Sequence, residues 1–240
     1  MTDCIGNNLI HNASNKNSKT DKISNADSSR QEEFDKILER LAKAYPGAGP
    51  ALKFNTPFEL LVAVILSAQC TDKQVNRTTA GLFKKYNTPQ QFAALSPEEL
   101  AEEIKGCGLY RNKSKYIIEA ARAIVERHNG RVPQSRAGLE ALPGVGRKTA
   151  GVVAGVAFGA SALPVDTHVH RVARRLNLSL AKDPSKVEED LAAYVLPQER
   201  MAVHHRLIAH GRQTCAARRP ACGCCCLKEL CRYPAKEGEQ

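Results

Sequence analysis

Two residues of this chain stand in settings that invite chemistry, Lys148 and Asp166. Lys148 follows the turn Leu142-Pro143-Gly144-Val145-Gly146-Arg147 and opens an apolar run through Thr149 to Phe158. Two closely spaced glycines allow positive φ and a close backbone approach, and the first amides of the next helix are free to hold an anion. Such a turn grips phosphate without reading a base. Leu142, Gly144, Val145, Gly146, Arg147 and Thr149 are therefore candidate contacts to a nucleic-acid backbone. The positive end of the macrodipole disfavours an ammonium ion in the first turn. Lys148 is then either a minor misfit, as most lone surface lysines are, or a nucleophilic amine. Asp166 lies eighteen residues on, in Pro164-Val165-Asp166-Thr167-His168, where an aspartate ordinarily caps a helix.

The second chemical feature is sulfur. Six of the nine cysteines crowd between Cys215 and Cys231, which without an export signal points to metal or cluster ligation rather than disulfides. Cys215, Cys222, Cys225 and Cys231 are spaced Cys-x6-Cys-x2-Cys-x5-Cys, close enough to fold around one centre. Zinc competes with iron and sulfide for such a set, although structural zinc sites more often pair two short knuckles. Cys224 and Cys226 leave the register open, with Cys224 an alternative to Cys225. Arg212, Arg218 and Arg219 flank the first ligand and are either a solvated basic loop or a phosphate-facing surface. Cys4, Cys70 and Cys107 have no evident partner.

The elements that must position these groups read as all-α. Phe34, Ile37, Leu38, Leu41 and Tyr45 share one helical face, and Pro46-Gly47 stops it. Thr56-Pro57-Phe58-Glu59, Thr88-Pro89-Gln90-Gln91 and Ser96-Pro97-Glu98-Glu99 carry capping-box helix starts, and Ser185 with Glu188 suggests a fourth. A long helix is expected from about 112 to 128, a short one near 138–141, and others after Asp166 and from about 198 to 210. Residues 1–30 are polar and expected to be a disordered tail. The first helix occupies 31–50, a bundle 51–160, and further helices with the cysteines 161–240. The formal charge of +10 favours an anionic partner through counterion release, while the absence of Trp argues against single-strand stacking platforms. No secretory signal, transit peptide or membrane span is evident, so the expected setting is cytoplasmic and nucleoid-associated.

Five motifs in one order carry a resemblance to endonuclease III, the bifunctional DNA glycosylase and abasic-site lyase of the helix-hairpin-helix superfamily. They are Leu66 to Asp72, Gly108-Leu109-Tyr110, Leu142 to Ala150, Val165 to His168, and His210-Gly211-Arg212 with the terminal cysteines. The resemblance runs from Gln31 to Tyr233. It implies two helical lobes, a six-helix bundle with the hairpin and an iron-sulfur lobe built from N- and C-terminal helices. It also implies a 4Fe-4S cluster on Cys215, Cys222, Cys225 and Cys231, and a monomer that acts on double-stranded DNA with a damaged base. Lys148 becomes the Schiff-base nucleophile and Asp166 its electrostatic partner. Gln69 becomes the plug for the vacated stack, Leu109 a wedge beside it, and Asp72 and His168 the lining of the lesion pocket. Removal of oxidised pyrimidines is the expected activity. The alternatives are a mismatch or pyrimidine-dimer specificity within the superfamily, and a non-catalytic helix-hairpin-helix iron-sulfur protein, which would need neither Lys148 nor Asp166. The cluster expectation has a direct check: the purified protein should be brown, absorb broadly in the visible blue and contain iron, whereas a colourless zinc protein would contradict it.

Overall fold

A computed structural model describes residues 25–233. Most of the expected tail, Cys4 included, and residues 234–240 lie outside the described residues. Within them are eleven α-helices and two short 3-10 segments, with no strand. The helix starts follow side-chain chemistry. Thr88 with Gln91 caps α4 (Pro89–Ala93), and Ser96 with Glu99 caps α5 (Pro97–Glu103), each box closed in both directions with proline at the first position. Thr56 caps α2 (Pro57–Ser67), but the Glu59 carboxylate accepts from the Asn55 amide at 2.6 Å rather than from the cap residue.

Two other starts differ from expectation. The first helix, α1 (Asn25–Ala44), begins six residues before Gln31. Contacts to the far end of the chain hold its first turns: the Arg30 guanidinium donates to the Leu178 carbonyl at 3.2 Å and the Gln31 amide to that of Tyr194 at 3.2 Å. Apolar periodicity cannot report such polar ties. The helix expected at Ser185 is α10 (Pro184–Ala192), capped by Asp183, whose carboxylate takes the amides of Ser185 and Lys186. That frees Glu188 for a distant role.

Two separate hydrophobic cores divide the described chain. The first is built on α2, buried from Phe58 to Leu66, and on α3 (Asp72–Lys85), α4, α5, α6 (Tyr110–His128), α7 (Arg136–Glu140) and α8 (Arg147–Phe158). The expected six-helix bundle is thus drawn from seven helical segments, of which α4 and α7 are five residues each. The second core joins Phe34, Ile37 and Leu41 of α1 to α9 (Thr167–Arg175), α10, α11 (Arg200–Gln213) and Leu227. Tyr45 fastens α1 there, its hydroxyl bonded to Thr214 Oγ1 at 2.8 Å and His210 Nδ1 at 3.0 Å.

Helix α8 belongs to the first core yet touches the second through glycine. Lys148, Gly151 and Gly155 share one helical face. A Cβ at Gly151 would come 3.2 Å from Pro164 Cγ, and one at Gly155 would come 2.7 Å from Met201 Cγ. The bare face lets α8 lie against the strap before α9 and against α11. Gly155→Val should therefore destabilise the protein by about 1–3 kcal/mol through overpacking, measured by chemical denaturation, even though valine keeps the helix in its apolar run. Unchanged stability would mean that the two helices are free to separate.

Candidate active site

The hairpin is α7, the turn Leu142 to Gly146, and α8. Leu142 and Val145 are buried in the first core, so their side chains anchor the turn and only their backbone faces outward. Gly144 has φ +73°, and a Cβ there would strike Tyr116 of α6 at 2.5 Å. Gly146 departs from the expected positive φ. It is extended, at φ −85°, with open space where a side chain would stand. Unlike α2, α3, α9 and α10, α8 has no side-chain cap, so its leading amides remain available to an anion.

Arg147 is not free for DNA in the way its position suggested. Its guanidinium donates to Glu188 of α10 at 3.1 Å, and Arg136 of α7 donates to the same carboxylate at 2.8 Å. Glu188 is 12% exposed, and its two arginines hold its carboxyl below the usual range despite burial. This carboxylate ties both helices of the hairpin to the second lobe. Its spacing from Ser185 had suggested only a local cap.

Lys148 and Asp166 line one cleft between the two lobes, about 820 Å³ in volume. Lys148 is exposed on the α8 wall. Asp166 is the cap of α9, accepting the Val169 amide on Oδ1 at 2.8 Å, so it serves as a helix cap and cleft carboxylate at once. Thr149, Ser67, Gln69, Asp72 and His168 stand on the same walls. His168 Nδ1 accepts from the Arg171 guanidinium at 3.2 Å, and burial lowers the imidazole's pKa while Asp166 opposes that shift.

Asp72 and Arg212 meet across the cleft mouth at 2.7 Å. The sequence placed them in different roles, one in the lesion pocket and one on phosphate. The structure joins them into one ion pair that links α3 to α11, and both also line an adjoining hollow with Lys53 and Asn76. Arg218 and Arg219 are exposed on the cysteine loop, with Arg219 at φ +51°.

Beneath the cleft lies a residue that the sequence reading missed. His204 of α11 is 2% exposed, and its Nδ1 donates to the Pro164 carbonyl at 2.7 Å. Burial pushes its pKa down to about 4, with His205 and Lys148 opposing protonation and Asp166 favouring it. A neutral imidazole thus holds the strap that carries Asp166. Its helical spacing from Leu207 and Gly211, both buried, was the available signal.

Gln69 and Leu109 stand together at the other rim. Both are non-glycine residues at positive φ, +52° and +59°, and Leu109 is 55% exposed. A Cβ on Gly108 would meet the Gln69 carbonyl oxygen at 3.4 Å, which places the two loops side by side.

The terminal cysteines gather at the end of the second lobe. Cys215, Cys225 and Cys231 pack against its core, and the thiols of Cys225 and Cys231 are pushed up by burial and by their sulfur neighbours, Cys222 among them. N–H donors face the sulfurs: Arg175 reaches Cys215 Sγ at 3.3 Å, and the Leu227 amide reaches Cys225 Sγ at 3.4 Å. Among the described residues no three His, Cys, Asp or Glu side chains converge on a single metal ion. Cys224 is exposed, which sets it apart from the core-facing Cys225. Cys107 is fully buried, its thiol directed at Thr78, so packing accounts for it.

Comparison with known proteins places the fold in a family. The family model for the HhH-GPD superfamily base excision DNA repair protein matches residues 62–197. Endonuclease III of Haemophilus influenzae is 50% identical over 200 residues, 83% of this chain and 95% of that protein. The Bacillus subtilis endonuclease III is 47% identical over 212 residues, 88% and 96% of the two chains. Among solved structures, a trapped endonuclease III–DNA covalent intermediate superposes with a TM-score of 0.81 at 45% identity, covering 84% of this chain and 95% of that one. A thermostable thymine-DNA glycosylase gives 0.76 at 27% identity, covering 87% and 98%.

His204 makes the site's stability depend on acid. Its folded pKa of about 4 lies below the ordinary 6.5, so the unfolded chain binds the proton first. Its share of stability is intact above about pH 6.5, is lost as pH falls towards about 4, and changes no further below that. The slope in that window should approach roughly 1.4 kcal/mol per pH unit for this one group. Urea unfolding of His204→Asn, which keeps an N–H for Pro164 but does not titrate, should lack this component. Equal slopes in both proteins would refute it.

Proposed function

The chain belongs to the HhH-GPD superfamily of base excision DNA repair proteins and, within it, to the endonuclease III family, and from that premise we propose how its residues work. It is a base excision repair glycosylase and abasic-site lyase acting on damaged double-stranded DNA. The observation that carries the catalytic assignment is the meeting of Lys148 and Asp166 in one cleft from two separate cores, beside an uncapped α8.

The amides of α8 and the backbone of the Gly144 turn receive a phosphate of the damaged strand, which sets the nucleotide opposite Lys148. The damaged base leaves the stack for the cleft, where Asp72 and His168 line its pocket, while Gln69 and Leu109 fill the gap. Asp166 keeps one carboxylate oxygen for the cap and offers the other to positive charge developing on the sugar. The Lys148 amine bonds to C1′ as the N-glycosidic bond breaks; the lysine proton passes to solvent and the base departs with its electron pair and takes up a proton. Ring opening, with a proton taken up by the ring oxygen, gives the iminium; a C2′ proton is removed, the 3′ phosphate leaves with the C3′–O electron pair, and water hydrolyses the imine to free Lys148.

Cys215, Cys222, Cys225 and Cys231 would hold a 4Fe-4S cluster. Four core-facing or neighbouring thiols with N–H donors aimed at sulfur suit such a group. When bound it supplies a cross-link rather than chemistry at the lesion, fixing the loop that presents Arg218 and Arg219 to phosphate. Arg175 and Arg171 already tie that loop to α9 through the Cys215 and Ala216 carbonyls. Among the described residues no helix is long and apolar enough to cross a membrane. We assign a monomer acting on nucleoid DNA, with oxidised pyrimidines as its substrates.

Incubation with duplexes carrying thymine glycol, a G·T mismatch, a pyrimidine dimer or a plain abasic site separates the readings. Cutting is expected at thymine glycol and at the abasic site without added metal. Preference for the mismatch or dimer would reassign the specificity, and no cutting anywhere would leave only a DNA-binding protein. Lys148→Gln should form no borohydride-trapped complex, and Asp166→Asn should slow base release by roughly 10²–10³-fold. A trapped complex in Lys148→Gln would remove the lysine from its role.

A further inference from the structure

Lys113 of α6 is 4% exposed, yet among the described residues no carboxylate is bonded to its ammonium. Its Nζ donates to the carbonyl of Leu66 in the last turn of α2 at 2.8 Å and to that of the cap residue Ala68, just before Gln69, at 2.6 Å. Its own backbone amide donates to the Leu109 carbonyl at 3.0 Å. One residue therefore holds the entry to the Gln69 loop with its side chain and the Leu109 turn with its backbone. Burial works against the ammonium form and pushes its pKa down, while the thiols of Cys107 and Cys70, on the same two loops, favour it. A cation is an expensive way to cap a helix end that water or a serine could satisfy. What it supplies in return is position, because helix-end carbonyls carry negative partial charge and a charged donor fixes them firmly.

Gln69 and Leu109 need such fixing. Each sits at positive φ without being glycine, and each presents a side chain to solvent in the absence of DNA. Left-handed backbone at two exposed non-glycine residues persists only where the surroundings impose it. We infer that Lys113 is a positioning residue for strand insertion, holding the Gln69 and Leu109 loops in the geometry that enters the duplex when the damaged nucleotide leaves it. This rests on the plug and wedge roles proposed above. Lys113 touches neither the cleft's lysine nor its aspartate, so its effect falls on filling the gap and not on the bond-breaking steps.

The test compares a substrate that must be opened with one that needs no opening. Single-turnover base release from a thymine glycol duplex is measured beside β-elimination at an abasic site in a single strand, and 2-aminopurine opposite the lesion reports insertion by its fluorescence. Lys113→Met should lose at least about tenfold on the duplex with a diminished 2-aminopurine signal, and stay within about twofold on the single strand. Lys113→Arg, which keeps the charge but moves the donors, should show the same selectivity with a smaller loss, and it carries the comparison if Lys113→Met fails to fold. Equal losses on both substrates, or none on either, would overturn the inference. Gln69→Ala serves as the control for the underlying reading. If Gln69→Ala loses nothing on the duplex, the plug role fails and the inference falls with it. If Gln69→Ala loses duplex activity selectively and the Lys113 variants do not, the inference alone is overturned.

Discussion

Everything in the site depends on how closely α8 approaches the second lobe. Lys148 stands on one hydrophobic core and Asp166 on another, so no local rule of secondary structure brings them together. The approach is made possible by Gly151 and Gly155, which replace side chains with bare backbone against Pro164 and Met201. Glycine inside a helix costs about 0.5–1 kcal/mol relative to alanine. The molecule accepts that cost twice on the face that also carries Lys148, where a side chain would press on Pro164 and Met201.

Polar ties then set the register that apolar packing leaves loose. Glu188 holds both hairpin helices, Asp72 meets Arg212 across the cleft mouth, and His204 pins the Pro164 carbonyl two residues before Asp166. Exposed ion pairs add little to stability, commonly under about 1 kcal/mol. The value of the Glu188 and Asp72–Arg212 pairs is geometric, since each joins elements of the two lobes. Asp166 shows the economy of the arrangement: the carboxylate that caps α9 is fixed by its capping bond at the point where charge would develop.

The all-α class, most helix starts and the separation of the cysteines from the bundle were legible in the sequence, because caps, prolines and apolar period are local signals. Lys148 was legible because a lysine is unusual in the first turn of a helix, whereas Asp166 looks like an ordinary helix cap and stands out only through the resemblance of its motif. What escaped was long-range and polar. Glu188 looked like a local cap partner until Asp183 proved to hold that place. Asp72 and Arg212 are 140 positions apart, and nothing in either neighbourhood announces the other. Lys113 and His204 resemble ordinary helix residues, and only burial distinguishes them. Gly146 was read as a positive-φ glycine, whereas its extended backbone and open surroundings suit the approach of a ligand instead.

The identity of the atom joined to the sugar decides the mechanism most directly. Borohydride reduction of the intermediate formed on a thymine glycol duplex, followed by digestion and mass spectrometry, locates that bond. The adduct should fall on the peptide that contains Lys148, with fragment ions placing it on that side chain. An adduct on any other amine, or base release with no adduct at all, would contradict the central assignment.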